Sequence, residues 1–118
     1  MKTILVAEDN DSNYILMTYI LKRDYLYKRA KNGAEAVEMV SAGGIDLVLM
    51  DIKMPVMDGL EATKKIKEQH PALPVVALTA NAFDSDRTLA LNIGCDDFLS
   101  KPVSSEKCLK TIEKFIGK

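Results

Sequence analysis

Three short apolar runs in this chain are nearly unbroken rather than alternating: Thr3-Ile4-Leu5-Val6-Ala7, Ile45-Asp46-Leu47-Val48-Leu49-Met50 and Val75-Val76-Ala77-Leu78. A strand that is apolar at consecutive positions buries both faces, as a parallel strand does beneath two layers of helix. Helical patterns fill the intervals. Asp11 to Arg23 carries Tyr14, Met17, Ile20 and Leu21 at helical spacing. Asn32-Gly33-Ala34-Glu35 resembles a capping box opening a helix with Ala36, Val37 and Val40 on one face. Asp58-Gly59-Leu60-Glu61 repeats that logic for a helix running to about Gln69, and a further helix from about Asp84 to Ile93 stops at Gly94. Ser104-Ser105-Glu106 starts a last helix that buries Leu109, Ile112, Phe115 and Ile116. Leu26–Ala30, interrupted by Lys28, suits a half-exposed edge strand, and Phe98-Leu99-Ser100 a short final one.

Five strands alternating with five helices predict an α/β fold: a five-stranded parallel sheet, order 2-1-3-4-5, with helices on both faces and right-handed crossovers. At 118 residues the chain is expected to form one domain over residues 1–118, with a single core. Sheets of this kind bind ligands outside the carboxyl ends of their strands, where the strand order reverses. In this order that point lies between strands one and three, which end in Glu8-Asp9 and in Asp51. Thr79 and Lys101 close the fourth and fifth strands.

Composition removes several classes of function. The net charge is −1 with both signs well mixed, which leaves no electrostatic footprint for nucleic acid or an anionic membrane. No apolar stretch approaches the ~20 residues a bilayer span needs, and Met1-Lys2-Thr3 leads straight into a strand, unlike a signal peptide. Cys95 and Cys108 are the only cysteines and His70 the only histidine, so no disulfide framework or thiolate metal site is expected. Two inert thiols suit a reducing, cytoplasmic setting. His70, just before Pro71, is expected in a surface loop.

The strand ends pose a charge problem. Two unit charges ~4 Å apart cost about 4 kcal/mol at an effective dielectric near 20. Glu8, Asp9 and Asp51 together therefore call for a proton or a cation. Oxygen-only ligands with open positions suit Mg2+, or Mn2+, which takes phosphate oxygens alongside one or two carboxylates. Asp51 can act as a nucleophile that forms an aspartyl phosphate. Lys101 supplies a cation and Thr79 a hydroxyl for the phosphoryl oxygens, and positioning plus electrostatics are most of what such a transfer requires. Lys101-Pro102 is a candidate cis bond, with a trans proline before the last helix as its alternative.

From Thr3 to Ile116 the chain resembles the receiver (phosphoacceptor) domain of response regulators, whose fold is flavodoxin-like. The matching pieces are Ile4-Leu5-Val6-Ala7-Glu8-Asp9-Asn10, Asp46 through Pro55, Met57-Asp58-Gly59, Leu78-Thr79-Ala80 and Ser100-Lys101-Pro102. The resemblance implies two-component or phosphorelay signalling, with Asp51 taking a phosphoryl group from a phosphohistidine on a histidine kinase or histidine phosphotransfer protein. It implies Mg2+ held by Asp9 directly, by Glu8 mostly through water, by Asp51 and by the backbone carbonyl of Lys53. It places Phe98 at an aromatic switch position, where many relatives carry Tyr, working with Thr79 to bias the surface of the fourth helix, fifth strand and fifth helix. Thr79-Ala80-Asn81-Ala82-Phe83 is most similar to receivers of hybrid sensor kinases. The resemblance also implies a monomer or a phosphorylation-dependent dimer that is no enzyme beyond its own phosphorylation and dephosphorylation. With no DNA-binding segment after Ile116, a free-standing receiver or a piece of a longer protein is expected.

Competing readings fit less well. An aspartyl-nucleophile phosphatase or phosphotransferase acting on small molecules usually carries a second acid two residues past the nucleophile, where this chain has Lys53, and it encloses its substrate. A flavin carrier would present amides rather than Glu8-Asp9-Asn10-Asp11 to a phosphate. An interaction module with a dead acceptor site would not need the full set of acids with Thr79 and Lys101.

Overall fold

Each central strand divides its apolar residues between two cores. In the computed structural model, which describes residues 1–52, 57–79, 88 and 91–117, the strands are β1 (Thr3–Ala7), β2 (Leu26–Ala30), β3 (Leu47–Asp51), β4 (Val75–Thr79) and β5 (Asp97–Ser100). Leu5 and Ala7 of β1, Val48 and Met50 of β3, and Val75 and Ala77 of β4 face one cluster with Ala36, Val40, Ala62 and Ile66. Those four belong to α2 (Gly33–Ala42) and α3 (Gly59–Gln69). Ile4, Val6, Leu47, Leu49, Val76 and Leu78 face the other cluster with Met17, Ile20, Leu21, Cys108 and Ile112, from α1 (Asp11–Leu21) and the C-terminal helix Ser105–Ile116. This two-sided burial is why the strands read as unbroken apolar runs.

The sheet is parallel throughout, in the order β2-β1-β3-β4-β5. β2 is an edge, and its Leu26 and Tyr27 are exposed. Asp51 is the last residue of β3. Residues 88 and 91–93 are helical, within the expected span from Asp84 to Ile93, most of which lies outside the described residues. Gly94 ends that helix at φ +119°, a backbone conformation that favours glycine.

The caps form as the sequence predicts. The carboxamide of Asn32 accepts the Glu35 N–H at 2.8 Å and the carboxylate of Asp58 accepts the Glu61 N–H at 2.9 Å. The box at α2 is displaced by one residue, because Glu35 reaches back to the N–H of Lys31. Cys95 and Cys108 are free and buried, and burial pushes their thiols up to about 11 and about 12. Thiols so protonated are poor nucleophiles. His70 follows α3 in a partly buried turn, donating its N–H to the Ile66 carbonyl at 2.7 Å. No described helix is long and apolar enough to cross a membrane.

Candidate phosphoacceptor site

β1 and β3 are neighbours, so the residues at their carboxyl ends meet. Ligand oxygens of Glu8, Asp9 and Asp51 all lie within 4.8 Å of one another. Glu8 is only 1% exposed and Asp51 6%, whereas Asp9 is open to solvent. Lys101, arriving from the end of β5, places its Nζ 3.1 Å from Asp51 Oδ2 and 3.4 Å from Glu8 Oε2. The Lys101-Pro102 peptide is cis.

Glu8 shows how the acids share the site. Burial, and then its hydrogen bond and charge contact with Asp51, push its carboxyl up to about 7 from the ordinary 4.5. Asn13 and Lys101 pull the other way. Asn13 donates from Nδ2 to Glu8 Oε1 at 2.9 Å. Sequence reasoning missed Asn13. Its position on the first turn of α1, five residues beyond Glu8, is the signal that points to it, since α1 starts directly over the end of β1.

Thr79 is fully buried, and its hydroxyl has no hydrogen-bond partner among the described residues. A buried hydroxyl left unsatisfied costs ~1–3 kcal/mol. Phe98 is partly buried, packs against the α2–α3 core and lies in register with Ala77 of β4. Lys53 lies outside the described residues, as does 80–83 of the hybrid-kinase signature.

Glycine lets the backbone close around Asp51. A Cβ on Gly59 would lie 2.1 Å from the Asp51 carbonyl oxygen. With that space empty, the Gly59 N–H donates to the Ile52 carbonyl at 2.8 Å and seats the start of α3 against the end of β3. On the far side of the turn, Gly33 of α2 donates to the Met57 carbonyl at 2.9 Å.

The donor set fits a hard divalent cation. Three carboxylates offer oxygen alone, one of them open to solvent, which leaves positions for water or phosphate oxygens. A buried hydroxyl with no partner among the described residues and an ammonium group stand at the neighbouring strand ends. A doubly wound α/β domain with an acidic, cation-accepting crevice at its switch point is the class that fold and site define. Within it, the chain belongs to the response regulator receiver domain family, whose model matches residues 4–113.

The relatives are of the same kind. Hybrid signal transduction histidine kinase B of Dictyostelium discoideum is 39% identical over 132 residues, covering 99% of this chain. The chain spans 7% of that kinase's length. The receiver domain of sensor histidine kinase PA1611 from Pseudomonas aeruginosa PAO1 superimposes with a TM-score of 0.92 at 33% identity, covering 99% of this chain and 98% of that one. That structure has a magnesium ion coordinated in its active site cleft. The co-crystal structure of the Saccharomyces cerevisiae histidine phosphotransfer protein Ypd1 with the receiver domain of Ssk1 matches with a TM-score of 0.90 at 35% identity, covering 97% of this chain and 88% of the matched one.

Proposed function

We propose that this chain, as one receiver domain over residues 1–118, carries a signal in a two-component or phosphorelay system by accepting a phosphoryl group on Asp51. The observation that carries the proposal is the convergence on Asp51: two further acids, the Lys101 ammonium at 3.1 Å, and close by the buried Thr79 hydroxyl with no described partner. A carboxylate oxygen of Asp51 attacks phosphorus and the O–P bond forms as the N–P bond to a donor imidazole breaks. The bonding pair returns to the ring nitrogen, which leaves as neutral histidine once it is protonated. Lys101 holds a phosphoryl oxygen by charge, and Thr79 donates to another.

Glu8, Asp9 and Asp51 would hold Mg2+ or Mn2+, with the Lys53 carbonyl as a further ligand. The bound cation neutralises charge on the transferred group. Burial against Asp51 favours the neutral Glu8 carboxyl, and a bound divalent cation would favour the ionised form, so acceptance is expected to depend on the metal. Lys101 gives up part of its contact with the carboxylates to reach the phosphoryl group. Thr79 moves toward that group in the same event, and Phe98 turns into the space it leaves. Residue 98 has no hydroxyl, so the readout is apolar ring packing on the surface of the fourth helix, β5 and the C-terminal helix.

The donor is a histidine kinase or a histidine phosphotransfer protein, and the setting is cytoplasmic. The likeness to a receiver co-crystallised with Ypd1, and to part of a hybrid kinase, supports that choice. The domain acts as a monomer or a phosphorylation-dependent dimer and turns over no substrate of its own. The test is transfer from a radiolabelled phosphohistidine protein in the presence of Mg2+. The expected result is a base-labile label on the wild type and none on Asp51→Asn. Label retained by Asp51→Asn would refute the assignment. Steady release of phosphate from small phosphate esters would favour the phosphatase reading instead.

A further inference from the structure

Arg29 sits on the edge strand β2, in register with Val6 of β1, yet its side chain is only 17% exposed. It reaches over the end of β1 and makes three contacts, one with the Glu8 backbone and two with the first turn of α1. Its Nε donates to the Glu8 carbonyl at 3.1 Å. Its Nη2 lies 2.8 Å from Asp11 Oδ1, an ion pair off hydrogen-bond alignment. Its guanidinium carbon stands 4.6 Å from the centre of the Tyr14 ring.

Stability alone is a weak reason for this arrangement. The Asp11 side chain is 81% exposed, and ion pairs with exposed acids contribute little. Desolvating a guanidinium is costly, and an apolar residue of similar size commonly serves a fold as well or better. The contact with the Glu8 carbonyl gives the placement a purpose. That carbonyl belongs to the Glu8–Asp9 peptide, whose two side chains are cation ligands in the proposed site. The Glu8 N–H is already held by the Ala30 carbonyl at 3.0 Å. With Arg29 on the carbonyl, the Glu8 backbone is hydrogen-bonded on both sides, and the exposed Asp9 follows a peptide whose carbonyl is held. The ion pair with Asp11 meanwhile keeps the loop's remaining acid on the outer side.

We propose that Arg29 is a positioning residue for the divalent-cation ligands of the β1–α1 loop, touching neither the cation nor the phosphoryl group. The proposal rests on the metal-dependent reading of the site. It predicts a sign opposite to simple electrostatics, since deleting a positive charge beside a cation site should tighten binding. Groups that orient metal ligands typically cost 10–100-fold in affinity when removed. Mg2+ demands near-ideal octahedral geometry and Ca2+ tolerates irregular sites, so loss of positioning should penalise Mg2+ more.

The experiment is titration of wild type, Arg29→Ala and Arg29→Lys with Mg2+ and with Ca2+, read from the amide signals of residues 8–11 under conditions where circular dichroism shows all three folded. Arg29→Ala should weaken Mg2+ binding about tenfold and Ca2+ binding by less, lowering the ratio of the two affinities. Arg29→Lys keeps the charge on an exposed edge strand but loses the planar fork, so it should also lower the ratio. Unchanged or tighter Mg2+ binding in both variants, or an unchanged ratio, would overturn the role of Arg29. A wild type that binds neither cation would instead overturn the metal-dependent reading on which it rests.

Discussion

Replacing Glu8 by Gln should stabilise the metal-free protein, and only at neutral to alkaline pH. In the folded chain Glu8 is buried against Asp51 and its carboxyl is pushed up to about 7, whereas the unfolded chain ionises it near 4.5. The folded state therefore prefers the protonated acid. Its contribution is complete below 4.5 and is lost as pH rises through about 7. The difference, 7 − 4.5, at about 1.36 kcal/mol per unit, gives about 3 kcal/mol. Gln cannot ionise, so it keeps the neutral-state packing at every pH. Urea unfolding of both proteins in a chelator, followed by circular dichroism, should give curves that coincide near the ordinary carboxylate range. By about pH 8 they should separate by roughly 3 kcal/mol in favour of Glu8→Gln. Mg2+ should then close the gap from the wild-type side, because a ligand that binds only the folded state stabilises it. Two curves that run parallel across the whole range would refute the argument that the buried acid pair is held at a cost.

Three other substitutions test separate parts of the site. Thr79→Val removes a hydroxyl with no partner among the described residues and changes shape little, so the unphosphorylated protein should gain about 1 kcal/mol in urea unfolding while phosphorylation by a small donor slows. Lys101→Ala strips the cation shared by Glu8 and Asp51. At about pH 8 it should cost the metal-free protein roughly 1.5–3 kcal/mol, and amide shifts on β5 should respond less to fluoroberyllate, a phosphoryl mimic. Gly59→Ala forces a methyl group into the Asp51 carbonyl. It should cost about 3 kcal/mol by thermal unfolding, whereas glycine to alanine at a position that accommodates it stabilises by about 0.4–1 kcal/mol.

Much of the architecture was legible because burial imposes a strong pattern. β1, β3 and β4 are covered on both sides, and no other arrangement explains Ile4-Leu5-Val6 or Leu47-Val48-Leu49 so simply. From the strand order, the meeting of Glu8, Asp9, Asp51 and Lys101 follows as geometry. Boundaries were less legible. The run from Ile45 pointed to a strand starting there, whereas β3 begins at Leu47, paired with Ile4 of β1. The parts that sequence did not disclose are contacts between residues unrelated by spacing. Arg29 is one such residue, since nothing along the chain relates it to the Glu8 carbonyl. Asn13, a polar residue on α1, is another. The cis geometry at Lys101-Pro102 was left open between two isomers, since tertiary context decides it.

Asp51 as the acceptor is the claim on which the functional account stands, and intact-mass analysis tests it most directly. Wild-type protein incubated with Mg2+ and acetyl phosphate should gain one phosphoryl unit that is stable in acid, is lost in base, and does not form when the metal is chelated. Asp51→Asn should gain none under the same conditions. A wild type that stays unmodified, or an Asp51→Asn protein that still takes up the base-labile group, would contradict the account.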